Sequence, residues 1–427
     1  MNSISKKYLL SDIVLSSAGV LVSYCLLAFC TYLPALFNGF MSDDFTWLEM
    51  LAAGPGADLN FNDKFFLPLA HYIQYALLFV TGGNPHLLHI FQLLVHVINA
   101  FLLFLLIKHF LRQQNKNVSW LAFAGGLLFL LCPYNSEAVN WFAAMSYPLS
   151  VLFLLLSAIA GLKAIETGLN KHIFGFALMY LLSLLCKEIS ISAILIPVVA
   201  LVFGLIPKSK QSYKLIISGA VVLIIYFILR TIILGSAIGG YGTEIHTQLS
   251  AAGFLRTLSA YFAKFFLLYR YLFAGWDINS WIKFSVISAS LIIWFAISFK
   301  SIATGWKISK NRFIEFMFLA SVFVIFCIPV INLEITSLGS IQSDRYSYLI
   351  SIAFVLILVF IFRNINMRFS KAVRAIVFVL FLLLTFCTNV IYWQNDRIVK
   401  SIIEDFGHNH QKGHSVVVLS IPDTYKG

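Results

Sequence analysis

The densest run of chemically able residues in an apolar chain is Asn38-Gly39-Phe40-Met41-Ser42-Asp43-Asp44-Phe45. Adjacent carboxylates beside lipid repel each other and lose hydration, so either Asp43 or Asp44 can hold a raised pKa and act as a general base. The same residues also read as a solvated loop, or as an N-cap in which Ser42 or Asp43 opens a helix. A second run, Pro133-Tyr134-Asn135-Ser136-Glu137-Ala138-Val139-Asn140-Trp141, puts Glu137, Asn140 and Trp141 at i, i+3 and i+4. On one helical face they form a wall suited to sugar hydroxyls and a pyranose ring. A Trp of the interfacial aromatic belt explains the same residues.

Two further motifs carry cations. Lys187-Glu188 interrupts a long apolar stretch between two candidate spans; charge at membrane depth is costly and points to function, while a snorkelling Lys paired with its neighbour is the plain alternative. In Asp344-Arg345-Tyr346-Ser347-Tyr348, Arg345 suits a lipid phosphate and the tyrosines suit sugar or lipid; a capped helix start with interfacial tyrosines is the alternative. His89, His96 and Asn99 share one helical face, but the two histidines are two turns apart, too far for one metal, so buried hydrogen-bonding roles are expected. A divalent cation could use Asp43 and Asp44 as oxygen ligands. No other cofactor is indicated, for the chain has no GxGxxG, Walker loop, HExxH or CxxC.

The elements that position these residues follow from composition. With 60% hydrophobic and 11% charged residues, the chain is far too apolar for a water-soluble core. Apolar runs long enough to cross a bilayer recur throughout, and each can satisfy its backbone in lipid only as a helix. The expected fold is an all-α polytopic transmembrane bundle of about eleven spans, at approximately 13 to 37, 86 to 107, 118 to 133, 148 to 165, 173 to 186, 189 to 206, 214 to 235, 283 to 303, 313 to 331, 346 to 363 and 374 to 392.

Lys and Arg cluster in the breaks around Lys6, Lys108, Lys163, Lys208, Lys307 and Arg368. This positive-inside pattern places the N-terminus in the cytoplasm and the C-terminus outside, and it accounts for the net charge of +12 without nucleic acid. Of the 18 Asp and Glu, all but Asp12, Glu166 and Glu315 then lie outside or at the outer membrane edge. The stretches 65 to 80 and 251 to 275 are expected to be interfacial or re-entrant, the second lying near lipid headgroups through Arg256, Lys264 and Arg270. One transmembrane module, 1–392, with external loops 38–85 and 236–282, precedes a short external tail, 393–427, read as a helix from Asn395 to Phe406 and a strand from Ser415 to Ser420. The six cysteines lie within apolar segments, and neither a disulfide framework nor a zinc site is expected.

In order along the chain, Asp43-Asp44, Pro68-Leu69, Gly83-Asn84-Pro85-His86-Leu87-Leu88-His89 with His96 and Asn99, the Pro133 to Trp141 run, Lys187-Glu188 and Asp344-Arg345-Tyr346-Ser347-Tyr348-Leu349 resemble the GT-C-fold glycosyltransferases. The branch most similar is the protein O-mannosyltransferase-like one that includes the transmembrane, TPR-containing mannosyltransferases. The resemblance implies inverting transfer of a sugar from a polyprenyl-phosphate carrier to a protein, glycan or lipid acceptor outside the cytoplasm, in a bacterial inner membrane with the site facing the periplasm. It implies Asp43 or Asp44 as the base and Lys187 and Arg345 as holders of the departing phosphate. Glu137, Asn140, Trp141, Glu188, His89, Asp344 and Tyr346 are the expected substrate contacts. The chain departs from these relatives at Leu67, where they often carry Arg before Pro-Leu, at Met145-Ser146-Tyr147, where they often carry a basic-acidic pair, and in having no TPR array. The alternatives are a polysaccharide polymerase or ligase using polyprenyl-diphosphate glycans, and a lipid-carrier flippase. The flippase would need ionisable residues at mid-membrane and inverted repeats.

Overall fold

The computed structural model describes residues 16–52, 65–111, 118–237, 251–268, 270–271, 310–331, 343–364 and 367–409. Among these the chain is all helical, with no strand. The helices are α1 (Ser17–Tyr32), α2 (Asp44–Ala52), α3 (Pro68–Thr81), α4 (Pro85–Leu111), α5 (Val118–Leu130), α6 (Ser136–Asn140) and α7 (Ser146–Thr167). They continue as α8 (Asn170–Cys186), α9 (Leu195–Val202), α10 (Lys210–Leu234), α11 (Ala251–Phe266), α12 (Lys310–Cys327), α13 (Ser347–Asn364) and α14 (Met367–Asn409).

Among the described residues, seven helical segments are long and apolar enough to cross a membrane, and three shorter apolar helices, at Ser119–Leu130, Asn170–Cys186 and Glu188–Val202, accompany them. Ten of the eleven expected spans fall on these segments; the span at 283 to 303 lies outside the described residues. The faces of α10 that carry Ile217, Ile224, Ile228 and Ile232 are exposed, as a lipid-facing surface would be. Local sequence sets the ends. Ser16 and Ser209 accept the N–H groups of Gly19 and Ser212 and so cap α1 and α10. At the start of α4, Asn84 Oδ1 accepts the His86 N–H ahead of the helix.

The described residues group into two compact units. The first comprises those within Met1–Asn60, Ala70–Pro148 and Ile365–Gly427, the second those within Phe61–Leu69 and Leu149–Asn364. In the first, α1, α4 and α5 pack so closely that a Cβ on Gly126 would collide with the Tyr24 hydroxyl and meet the Ala100 carbonyl at 2.7 Å. Tyr24 donates across that contact to the Phe123 carbonyl at 2.7 Å. In the second, Phe265 and Phe266 of α11 pack on Phe323 of α12 and Phe354 of α13.

Helix α14 runs unbroken from 367 to 409 and carries the helix expected from Asn395 to Phe406 as its own continuation; the strand expected at 415 to 420 lies outside the described residues. Two expectations need correction. Trp141 does not share a helical face with Glu137 and Asn140, since α6 ends at Asn140 and Trp141 is extended. Lys264 and Arg270 are buried against a carboxylate rather than facing headgroups, and of the three cations assigned to headgroups only Arg256 is exposed.

Candidate functional site

In the first unit the acidic loop leaves α1 through a 3-10 turn at Leu33–Phe37 and is held by three other elements. From α4, His89 Nε2–H donates to the Gly39 carbonyl at 3.2 Å, and His86 contacts the Leu36 carbonyl at 2.8 Å. From α6, Asn140 bridges Asn38 at 3.5 Å and Asn389 of α14 at 2.6 Å. From α14, buried Asp396 accepts the Gly39 N–H at 2.7 Å and the Lys400 ammonium at 2.6 Å, while Lys400 also donates to the Phe37 carbonyl at 3.3 Å. A Cβ on Gly39 would meet Asp396 Oδ1 at 3.0 Å, so the clamp is fitted to a glycine.

Beyond that clamp the two acids part in character. Ser42 adopts φ +51, a left-handed conformation that costs a non-glycine residue about 1 kcal/mol, and it turns the chain into α2. Asp44 is completely buried at the start of α2. Its Oδ2 accepts the Met41 N–H at 3.1 Å and its Oδ1 accepts the Ala143 N–H at 2.7 Å. Burial, and to a lesser degree the charge of Asp43, push this carboxyl up to about 7, against the opposing pull of those backbone donors. Asp43 is exposed, in contact with Ser42 Oγ at 3.4 Å. With both Asp44 oxygens engaged by N–H donors, Asp43 is the carboxylate of the pair that can meet a substrate or a cation. Among the described residues no three His, Cys, Asp or Glu gather as a metal site.

The remaining candidates of this unit are interior residues. Glu137 and Asn140 are buried, and Trp141 is half-buried with its carbonyl accepting from Gln92 at 2.8 Å. His96 hydrogen-bonds the Leu130 carbonyl at 3.2 Å and Asn99 the Pro148 carbonyl at 2.9 Å, the bonding roles expected for them.

No family model matches the chain, and no curated protein sequence matches it either.

The second unit gathers the cations. Helix α8 stops at Cys186, and Lys187 is extended at φ −164 before a 3-10 turn begins at Glu188. Ser150 and Ser190 hydroxyls lie at 3.2 and 3.5 Å from the Lys187 carbonyl, and Ser183 ties the two through hydrogen bonds of 2.7 Å to the Ser150 carbonyl and 2.9 Å to the Ser190 hydroxyl. Thus braced, Lys187 is buried with its ammonium 4.7 Å from the Phe65 ring centre. Burial pushes that ammonium down; Glu188 counteracts this, while Arg345 and Arg230 add to it. Glu188 pairs with buried Arg230 of α10 at 2.5 Å.

Ser343, at φ +76, turns the chain into the 3-10 segment Asp344–Tyr346. Asp344 is completely buried and paired with Lys264 at 2.6 Å and with Arg270. Arg345 lies over the Tyr346 ring at 4.7 Å. Asp344 is therefore an organiser of cations, not a side chain presented to a substrate. Sequence reasoning missed Arg230, Asn389, Asp396 and Lys400, as well as the serine brace. The available signal was polarity inside apolar helices, such as Ser183 in α8 and Asn389 in α14.

Proposed function

We propose that the chain is a membrane glycosyltransferase that moves a sugar from a polyprenyl-phosphate-linked donor to an acceptor on the extracytoplasmic face, with inversion. Asp43 is the general base and Asp44 positions it. The acceptor hydroxyl gives its proton to Asp43, its oxygen bonds to the anomeric carbon, and the bond from that carbon to the phosphate oxygen breaks with its electron pair leaving on the phosphate. The resemblance assigns the holding of the departing phosphate to Lys187 and Arg345. The acceptor is a protein, glycan or lipid, and the carrier reaches the protein through the bilayer.

The observation that carries this reading is the division of labour within the acid pair. One carboxylate is buried and clamped to backbone donors; the other stands exposed beside it. Backbone strain at Ser42 and again at Ser343, each directly before an acidic residue, adds support, because such conformations persist where a fold holds a site in place. The test is transfer of radiolabelled sugar from a polyprenyl-phosphate donor in membranes carrying Asp43→Asn. Loss of roughly 10²- to 10⁴-fold, with the melting temperature unchanged, is expected; full activity in this variant would remove the base.

A further inference from the structure

We infer that Asp396 of α14 is a positioning residue: by holding the chain at Gly39 it sets where the general base Asp43 stands. This rests on the transferase reading and adds a residue to its machinery. Two anchors bracket the exposed carboxylate along the chain. Downstream is Asp44, fixed to the Met41 and Ala143 N–H groups. Upstream is Gly39, whose N–H donates to Asp396 Oδ1 at 2.7 Å and whose carbonyl accepts from His89 at 3.2 Å. Between Gly39 and Asp43 stand only Phe40, Met41 and Ser42. The Phe40 ring rests edge-on against Phe142 at 6.1 Å, and Ser42 is in the left-handed region at φ +51. The stance of Asp43 therefore follows from the two anchors.

The upstream anchor is built from a buried ion pair. Asp396 is buried, and its second oxygen takes the Lys400 ammonium, one turn further along α14, at 2.6 Å. Lys400 also donates to the Phe37 carbonyl at 3.3 Å, so the pair grips two successive peptide groups, those on either side of Asn38. Asn38 itself is held by Asn140 of α6 at 3.5 Å. Burying such a pair adds little net stability over a neutral substitute. What a charged acceptor does supply is a shorter and more directional hydrogen bond. The fit leaves no slack, since a Cβ on Gly39 would meet Asp396 Oδ1 at 3.0 Å and Lys400 Cε at 3.4 Å. A general base needs such a hold, because a displacement of about 1 Å can cost on the order of 10²-fold in rate.

The full-length protein in nanodiscs is followed by amide hydrogen exchange and by transfer of radiolabelled mannose from undecaprenyl-phosphate mannose. In Asp396→Ala the segment 37–45 is expected to exchange at least about tenfold faster, with α5 unchanged. Its kcat is expected to fall about 10- to 10²-fold while the KM for the lipid donor stays the same. Asp396→Asn keeps an oxygen for the Gly39 N–H and is expected to lose less. Added to Asp43→Asn, Asp396→Ala is expected to lower the residual transfer no further, because it acts through the base; a merely structural residue would lower it again by the same factor. Natural kcat in Asp396→Ala, a further fall in the Asp43→Asn background, or faster exchange spread over the whole protein overturns the inference and leaves the transferase reading standing. Full transfer by Asp43→Asn, or none by the natural protein, overturns both. If Asp396→Ala fails to fold, Gly39→Ala, whose Cβ needs the clamp to give by only a few tenths of an ångström, is read by the same criteria.

Discussion

Asp43 and Asp44 are chemically identical in sequence and opposite in setting, and that difference is measurable. Asp43→Asn removes an exposed charge and should change stability by less than about 0.5 kcal/mol. Asp44→Asn places an amide NH2 against the N–H of either Met41 or Ala143, leaving a buried donor without an acceptor, and should cost about 1–3 kcal/mol. Denaturant or thermal melts of the purified variants distinguish the two. Asp44 also imposes a pH dependence. Its carboxyl is raised in the folded state from 3.8 to about 7, so between those values the folded protein holds a proton that the unfolded chain has released. Its stabilising contribution is complete below about 4 and is lost as pH rises through about 7. The natural protein should melt progressively lower across that window, and Asp44→Asn should flatten the profile there.

The elements around the acids owe their positions to side chains far away in sequence. Helix α14 grips the loop after α1 through Asp396 and Lys400, and it ties α6 to α1 through Asn389, which bonds Asn140 and the Thr31 carbonyl. Asp396→Ala deprives the Gly39 N–H of its acceptor and should cost about 1–3 kcal/mol, read by a fall in melting temperature. Ending the chain after residue 392 should do at least as much, for the same reason. In the second unit Asp344 is the partner of two buried cations, and Asp344→Asn should destabilise by about 3–5 kcal/mol. Arg256→Gln, on the exposed side of α11, should leave the melt unchanged.

At the scale of the whole molecule, the sidedness of the acidic loop decides whether a lipid-borne donor can be used. An accessible cysteine at position 43, from Asp43→Cys, should react with a membrane-impermeant maleimide from outside intact cells. Lys116→Cys should react only after permeabilisation. The reverse pattern would place the acids in the cytosol and end the transferase reading. The native cysteines form no disulfide among the described residues, and the labelling is read against the unsubstituted protein.

Helicity and the apolar spans were legible in the sequence because lipid leaves the backbone no alternative to helix formation, and long runs of Leu, Ile, Val and Phe announce themselves by composition. The candidate residues were legible for a related reason: a polar side chain stands out in an apolar stretch, and Asp43, Asp44, Lys187 and Asp344 were found that way. Their roles were not legible. That Asp44 faces inward while Asp43 faces out depends on the Ala143 amide, 99 residues away. That Lys264 and Arg270 turn to Asp344 depends on a partner 74 residues from Arg270. Composition and local spacing carry no record of such pairings. Tertiary packing decides them, because burial and a distant donor or counter-charge determine what a carboxylate or an ammonium can do.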